Sequence, residues 1–400
     1  MNILFLTMSR MSGISNHGIY SDLMRRFRDE GHSVFIVHPH ERSLGKKTVL
    51  YEADGAHILG VKTLNLQKTS VIEKGIGQVL VEPLFKAAIK KYFKGIHFDL
   101  ILYSTPPITF PKVLRFLRHT NPQAKTYLLL KDIFPQNAVD LGLMSKRGVK
   151  GIIYKFFRNK EKTLYHLSDY IGCMSPANVA YVLKHNPEIQ HERVEVAPNS
   201  LELEASAPVD SLKIRQKYGL PHDKPIFIYG GNLGKPQGIP FLIDCLEANS
   251  SRDDCHFVII GTGTELPGLL SWYERKHHKS VTVLNGVPRD EYDNLVQSCD
   301  VGLVFLDHRF TIPNFPSRLL SYLEFKLPVV CATDPNSDMG RIAEENGFGL
   351  WCESNSVDAF TAIVDKMIQA NRRTMGEKGY HYLLENYQVQ NTYDAIMRHV

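Results

Sequence analysis

What this 400-residue chain lacks is informative. No apolar run reaches the roughly 18 residues that a membrane-spanning helix needs, so none is expected. The first residues, Met1-Asn-Ile-Leu-Phe-Leu-Thr7, carry no basic stretch and read as an opening strand rather than a secretory signal. Six cysteines, at 173, 245, 255, 299, 331 and 352, stand singly with no C-x-x-C. That pattern argues against a disulfide framework or a zinc site and for small buried residues in a reducing cytosol. Seventeen histidines include no H-E-x-x-H pair. The absence of G-x-S-x-G removes the commonest hydrolase reading. No D-x-D marks a divalent-metal sugar-nucleotide site, so no metal or cofactor is expected, and cationic side chains are expected in its place. No nucleic-acid module, low-complexity segment or short-period repeat is recognisable.

Hydrophobic content of 43% and charged content of 22% are those of a soluble globular protein, long enough for two domains. The net charge of +5 hides an asymmetry. Residues 1–200 hold 28 Lys and Arg against 16 Asp and Glu, a net of +12, and the remainder nets −7. A basic first half suggests an anionic partner on that side, for which a membrane surface is preferred to nucleic acid. Strand-like and helix-like runs alternate through Ile3–Thr7, Ile19–Arg28, Ser33–Val37, Asp99–Tyr103, Lys125–Leu130 and Tyr170–Met174. A polar segment from Pro198 to Pro225 interrupts the rhythm. It restarts with Pro225–Tyr229, Ile239–Glu247, His256–Ile260, Val281–Leu284, Val301–Phe305, Val329–Ala332 and Gly349–Trp351, then a long helix over Tyr380–Val400. The pattern predicts an α/β chain of two Rossmann-like, doubly wound parallel sheets, with domains 1–203 and 204–380 and a return of 381–400 onto the first.

Three turns in the second half follow strands and precede helices, so they fall on one rim where ligands of such sheets sit. They are Gly230–Gly238, Gly261-Thr-Gly263 and the loop Pro313–Arg318. Glycines admit close backbone approach, while Lys235 and Arg318 supply positive charge for a phosphorylated ligand. Ser317 is a plausible N-cap for a helix bearing Leu319, Leu320, Leu323 and Leu327. Arg318 in its first turn either grips an anion or merely snorkels from a buried helix. In the first half, Ser12–Gly18 is either a surface turn or a cleft wall, and Asp132 either caps the helix Gln136–Leu141 or acts as an acid, base or hydroxyl orienter. Lys146–Lys162 crowds seven basic residues against Glu161, with an apolar stripe of Val149, Ile152, Ile153, Phe156, Phe157, Leu164 and Leu167. Such a helix (146–167) suits an anionic membrane surface, which Lys86–Lys94 with Tyr92 and Phe93 could extend. A core-facing helix with a solvated basic side is the alternative. His277-His278 reads as solvent-facing.

These pieces resemble the bacterial family-4 glycosyltransferases of GT-B type that assemble O-antigen and capsule polysaccharide. The resemblance rests on Gly13–Tyr20 with Gly31-His-Ser-Val34, Lys131-Asp-Ile-Phe-Pro135, Val196-Ala-Pro-Asn-Ser200, Tyr229-Gly-Gly-Asn-Leu-Gly234, Ile260-Gly-Thr-Gly263, Leu284-Asn-Gly-Val-Pro288, Pro316-Ser-Arg-Leu-Leu320 and Pro328-Val-Val330. It implies two sheets facing across a cleft and a retaining transfer from a nucleoside diphosphate sugar, UDP-linked by preference. The implied acceptor is an undecaprenyl-diphosphate-linked saccharide, met at the inner face of the plasma membrane by a cytoplasmic, peripheral enzyme. The second domain is then expected to hold the donor through Gly231, Asn232, Gly234, Gly261, Gly263, Val287, Pro288, Asn314, Phe315, Ser317, Leu319, Ser321 and Glu324. The first is expected to take the acceptor through Gly13, Asn16, His17 and Lys131, with Asp132, Lys235 and Arg318 as catalytic groups. The family's two glutamates fall on Pro313 and Ser321, and its diphosphate-binding Arg and Lys on Asn232 and Gln237. Those departures keep two alternatives open, a GT-B sugar-nucleotide 2-epimerase and a non-catalytic partner subunit.

Overall fold

A computed structural model describes residues 1–66, 71–106, 108–203, 209–275 and 278–400. The chain divides into two compact units, Met1–Glu202 with Gln388–Val400, and Leu203–Tyr387. Part of the expected linker, 204–208, and His277 lie outside the described residues.

The first unit is built on an eight-stranded sheet. Its strands are β1 (Asn2–Leu6), β2 (Ser33–Glu41), β3 (Val49–Ala53), β4 (Ala56–Thr63), β5 (Leu100–Thr105), β6 (Lys125–Leu130), β7 (Tyr170–Cys173) and β8 (Val194–Val196). They run in the order β3-β4-β2-β1-β5-β6-β7-β8, all pairs parallel except the β3–β4 hairpin. Helices on the faces bury β1 and β5 almost end to end, which is why those strands read as unbroken apolar runs. The helix Ile19–Asp29 lays Leu23, Met24 and Phe27 on Ile3, Phe5, Val34 and Ile36. The same cluster takes in Val389, Ala395 and Ile396 from the end of the chain.

The expected single helix over 380–400 is two. Arg372–Asn386 belongs to the second unit, and Val389–Met397 packs on the first. The break sits at Tyr387-Gln388, because Tyr387 is buried against Phe315 and Tyr382, whereas Val389 N–H bonds the Leu201 carbonyl. Opposite pulls on adjacent residues cannot be met by one straight helix.

The second unit holds six parallel strands: β9 (Ile226–Asn232), β10 (His256–Thr262), β11 (Val281–Asn285), β12 (Val301–Phe305), β13 (Val329–Thr333) and β14 (Gly349–Glu353). Their order, β11-β10-β9-β12-β13-β14, reverses direction between β9 and β12. Those two strands pair only at Phe227–Val301 and Ile228–Gly302. Above that point Tyr322 wedges between them. Its hydroxyl accepts from Gly230 N–H at 3.1 Å and points at the Ile228 and Leu303 carbonyls, at 3.1 and 3.3 Å. The wedge needs Gly302, since a Cβ there would lie 2.3 Å from the Tyr322 ring. A crevice at the reversal of strand order is where open α/β sheets take their ligands.

Candidate active site

A cavity of about 810 Å³ opens at the carboxyl ends of β9 and β10. Gly230, Gly231 and Asn232 end one strand, and Ile260, Gly261 and Thr262 the other. Gly286 and Val287 follow β11, and Arg289 and Tyr292 stand in the first turn of the helix Arg289–Gln297. Pro316, Ser317, Arg318 and Ser321 close the last side. The glycines are needed for contact rather than for flexibility. A Cβ on Gly261 would meet the Gly231 carbonyl at 1.8 Å, and one on Gly230 would meet the Tyr292 hydroxyl at 2.1 Å.

Arg318 dominates this wall. Its guanidinium lies 4.3 Å from the ring centre of Tyr229, a cation–π stack within the buried base of the cavity. Tyr229 is itself fixed, its hydroxyl donating to the Asn232 carbonyl at 2.7 Å. Arg318 Nη1 is buried and makes no hydrogen bond in the structure. A buried charged donor without a partner is costly, and an oxygen of a ligand or of water in the adjoining cavity would complete the pairing. Arg289 adds a second cation, steered by Asp293 at 3.2 Å. No carboxylate is among the fifteen lining residues, so the cavity favours an anion.

Of the expected donor-side residues, Gly231, Asn232, Gly261, Val287, Ser317, Arg318 and Ser321 line this cavity. Lys235 does not: it is exposed where a short 3-10 turn (Lys235–Gln237) begins, and Gln237 of that turn reaches the wall instead. The Gln237 amide oxygen accepts from Asn232 Nδ2 and from Gly234 N–H, which holds the turn rigid and keeps Gly234 behind the surface. Gly263 is packed against the Leu233 carbonyl, and Pro288 precedes the helix that carries Arg289. Leu319 and Phe315 belong to the core, the latter against Tyr387. Asn314 is tied by its N–H to Ser337 Oγ, and Glu324 ends the helix Arg318–Glu324 outside the wall. That helix has seven residues, shorter than expected, because Lys326 turns left-handed at φ 57° ahead of Pro328. Ser317 precedes it without a side-chain capping bond. So short a helix has little dipole to offer, and the positive charge here is that of the guanidinium. Sequence reasoning passed over Arg289 and Tyr292, although both follow the Leu284–Pro288 turn on the same rim.

In the first unit, Lys131 and Asp132 follow β6. Lys131 Nζ donates to the Ala197 carbonyl at 3.2 Å, and burial pulls its pKa down to about 7. Burial pushes Asp132 up to about 6. Its Oδ2 accepts from Asn137 Nδ2 at 2.6 Å, and the N-cap of the helix Gln136–Asp140 is Pro135, so Asp132 is not the cap. The loop after β1 is ordered by carboxylates. Asp54 lies over Gly13 and accepts from Ile14 and Ser15 N–H, the Asn16 carbonyl accepts from Arg25, and His17 Nδ1 sits 3.0 Å from buried Asp22.

The basic helix Gly148–Leu167 turns its first half outward. Val149 is 77% exposed, Ile152 70%, Ile153 47% and Phe156 49%, while Leu164 and Tyr165 are in the core. Phe93 of the second basic segment is buried beside Phe35 and Phe98, and the Tyr92 hydroxyl is spent on the Thr48 carbonyl, so that segment does not extend the apolar surface. His278 is buried against Trp272 and Tyr273 rather than solvent-facing. Among the described residues no helix is long and apolar enough to cross a membrane, and no three His, Cys, Asp or Glu side chains are grouped to hold a metal ion.

Comparison with known proteins bears on both units. Residues 210–387, nearly all of the second unit, match the family described as glycosyl transferases group 1. The chain is 22% identical over 326 residues to the probable glycosyltransferase WbjE of Pseudomonas aeruginosa, covering 80% of this chain and 78% of that protein. It is 24% identical over 294 residues to the putative colanic acid biosynthesis glycosyl transferase WcaI of Escherichia coli K12, covering 72% and 70%. Its fold is that of sucrose-phosphate synthase from Thermosynechococcus elongatus (TM-score 0.75, 15% identity, 100% and 98% covered) and of HepE from Anabaena, solved in complex with UDP (TM-score 0.67, 15% identity, 100% and 99%). With two parallel-rich sheets, a ligand crevice at the strand-order reversal and that family match over the crevice-bearing unit, the chain has the GT-B fold, and its second unit matches the group 1 glycosyl transferases.

Proposed function

We propose that the enzyme moves a sugar from a nucleoside diphosphate sugar, UDP-linked by preference, to a lipid-linked saccharide during surface-polysaccharide assembly. The observation that carries the donor half is Arg318, half-buried in the wall of a strand-end cavity and stacked on Tyr229 with its Nη1 buried and unpaired. A diphosphate oxygen supplies the missing acceptor. As the glycosidic bond breaks, the leaving diphosphate gains negative charge, and Arg318 offsets it at the moment it develops. Ser321 and Ser317, in place of a carboxylate, offer hydroxyls to the ribose, and Val287 offers apolar contact to the base. A relative named for colanic acid biosynthesis and a neighbour solved with UDP support the pathway and the nucleotide.

For the acceptor half, Asp132 is assigned to orient or deprotonate the attacking hydroxyl, with Asn137 fixing its carboxylate. The exposed Val149, Ile152, Ile153 and Phe156, flanked by Lys146, Arg147, Lys150 and Lys155, favour an anionic bilayer surface, where a lipid-linked acceptor is found. Retention of anomeric configuration follows the family resemblance. The deciding experiment is a hydrolysis screen of UDP-, GDP- and dTDP-sugars. Turnover of a UDP-sugar to UDP and free sugar of unchanged ring configuration supports the reading, and release of an epimerised nucleotide sugar instead assigns an epimerase. Failure of all three nucleotides to bind assigns a non-catalytic role.

A further inference from the structure

Tyr292 reaches the donor cavity from the helix Arg289–Gln297, and the faces of that helix explain how. Leu295 and Val296, three and four residues on, are fully buried, so Tyr292 shares the inward face. On the other side, Glu291 accepts from the Tyr218 hydroxyl at 3.0 Å and from Lys217 Nζ at 2.5 Å, which fixes the rotation of the first turn. The Tyr292 ring is thereby laid over the end of β9. A Cβ on Gly230 would lie 2.1 Å from its hydroxyl and 2.5 Å from the ring carbon that bears it. A phenylalanine would fill that space equally well, so packing does not account for the hydroxyl.

The hydroxyl stands in the field of Arg318. A Cβ on Gly231, the next residue, would lie 3.9 Å from Arg318 Nη2, so phenol and guanidinium flank two consecutive glycines with no side chain to fill the space. Burial pushes the phenol up to about 12, against the pull of Arg318, so it keeps its proton at pH 7. A protonated phenol has one hydrogen to donate, and the oxygens of an ionised phosphate only accept. No carboxylate among the lining residues competes for that hydrogen. We infer that the Tyr292 hydroxyl is a second donor to the diphosphate, held against Gly230 as Arg318 is held against Gly231. The inference rests on the donor reading above and deepens it by adding an uncharged group. Such a group orients the diphosphate without the desolvation cost of another buried cation.

The test is titration calorimetry of the full chain with UDP at pH 7, wild type against Tyr292→Phe, with the phosphorus NMR spectrum of bound UDP recorded for both. The variant keeps the ring on Gly230, so the Tm of the ligand-free chain stays at the wild-type value. The expected result is about tenfold weaker UDP binding, the loss of one hydrogen bond to a charged acceptor, together with a moved phosphorus resonance. Weaker binding with the phosphorus spectrum unmoved puts the hydroxyl on the nucleoside and overturns the inference. So does unchanged affinity, which leaves the ring as packing alone. A wild type that binds no UDP refutes the donor reading and this inference together. A wild type that binds UDP no better than Tyr292→Phe refutes this inference alone.

Discussion

Replacing Arg318 tests the chemistry most directly. In the resting enzyme its guanidinium contributes a cation–π stack on Tyr229 at 4.3 Å, worth about 1 kcal/mol by analogy with partly buried pairs. Arg318→Ala therefore costs the fold about that much, a shift of a few degrees in Tm for a domain of this size. The cost to turnover is larger. Loss of one preorganised donor aimed at developing charge is worth about 2–4 kcal/mol, or roughly 30- to 1000-fold in rate. Arg318→Lys keeps the charge but loses the planar fork, and the shorter ammonium cannot stack and reach at once. It should fall between wild type and Ala. Initial rates of UDP-sugar hydrolysis and of transfer, fitted for kcat and KM, separate the two possible roles. If the interaction strengthens as the diphosphate leaves, kcat falls by the stated factor and KM moves little. An Arg318→Ala enzyme with wild-type kcat, at a temperature where circular dichroism finds it folded, refutes the assignment.

Other substitutions probe the remaining claims. Because burial raises Asp132 to about 6, the folded state holds its proton more tightly than the unfolded chain. That stability is full below the ordinary carboxyl pKa and is lost as pH rises through about 6. The orienting form is the ionised one, so kcat should rise with pH through about 6. Asp132→Asn should remove that limb and lower kcat about a hundredfold, as read from a pH–rate profile. Gly261→Ala would drive a Cβ to 1.8 Å from the Gly231 carbonyl, with backbone on both sides unable to yield. A loss of about 3 kcal/mol in urea unfolding is expected, and a change under 0.5 kcal/mol would discount the close contact. Ile152→Glu with Phe156→Glu should abolish sedimentation with vesicles containing anionic lipid while leaving Tm unchanged, since both side chains are solvent-exposed.

Much of the architecture is legible because most strands are covered on both faces, and doubly buried strands announce themselves as apolar runs. The hairpin of β3 and β4 was missed for the converse reason. Val49–Ala53 is an edge strand with half-exposed residues, and its only strong signal, Asp54-Gly55 with φ of 52° and 77°, is a hairpin turn that the reading passed over. At the site, the rim was legible but the direction of each side chain was not. Arg318 and Lys235 look alike as cations beside glycines, yet one lines the cavity and the other is exposed outside it. Leu319 and Phe315 share the motif with Arg318 but face the core, a distinction set by helical phase and by Tyr387, 72 residues along the chain from Phe315.

The return of the chain at Gln388 has a consequence for biosynthesis. The Tyr393 ring lies 5.1 Å from Phe27 and meets His32 Nε2 at 3.2 Å, and Thr392 bonds Ser200 and the Pro198 carbonyl. The portion translated first therefore cannot finish its hydrophobic interior until Val389, Ala395 and Ile396 have been made and have left the ribosome. Domains usually mature in the order they emerge. Here the later-made unit can complete itself first, and a chain cut after Tyr387 would hold a finished second unit joined to a first one whose core is still open.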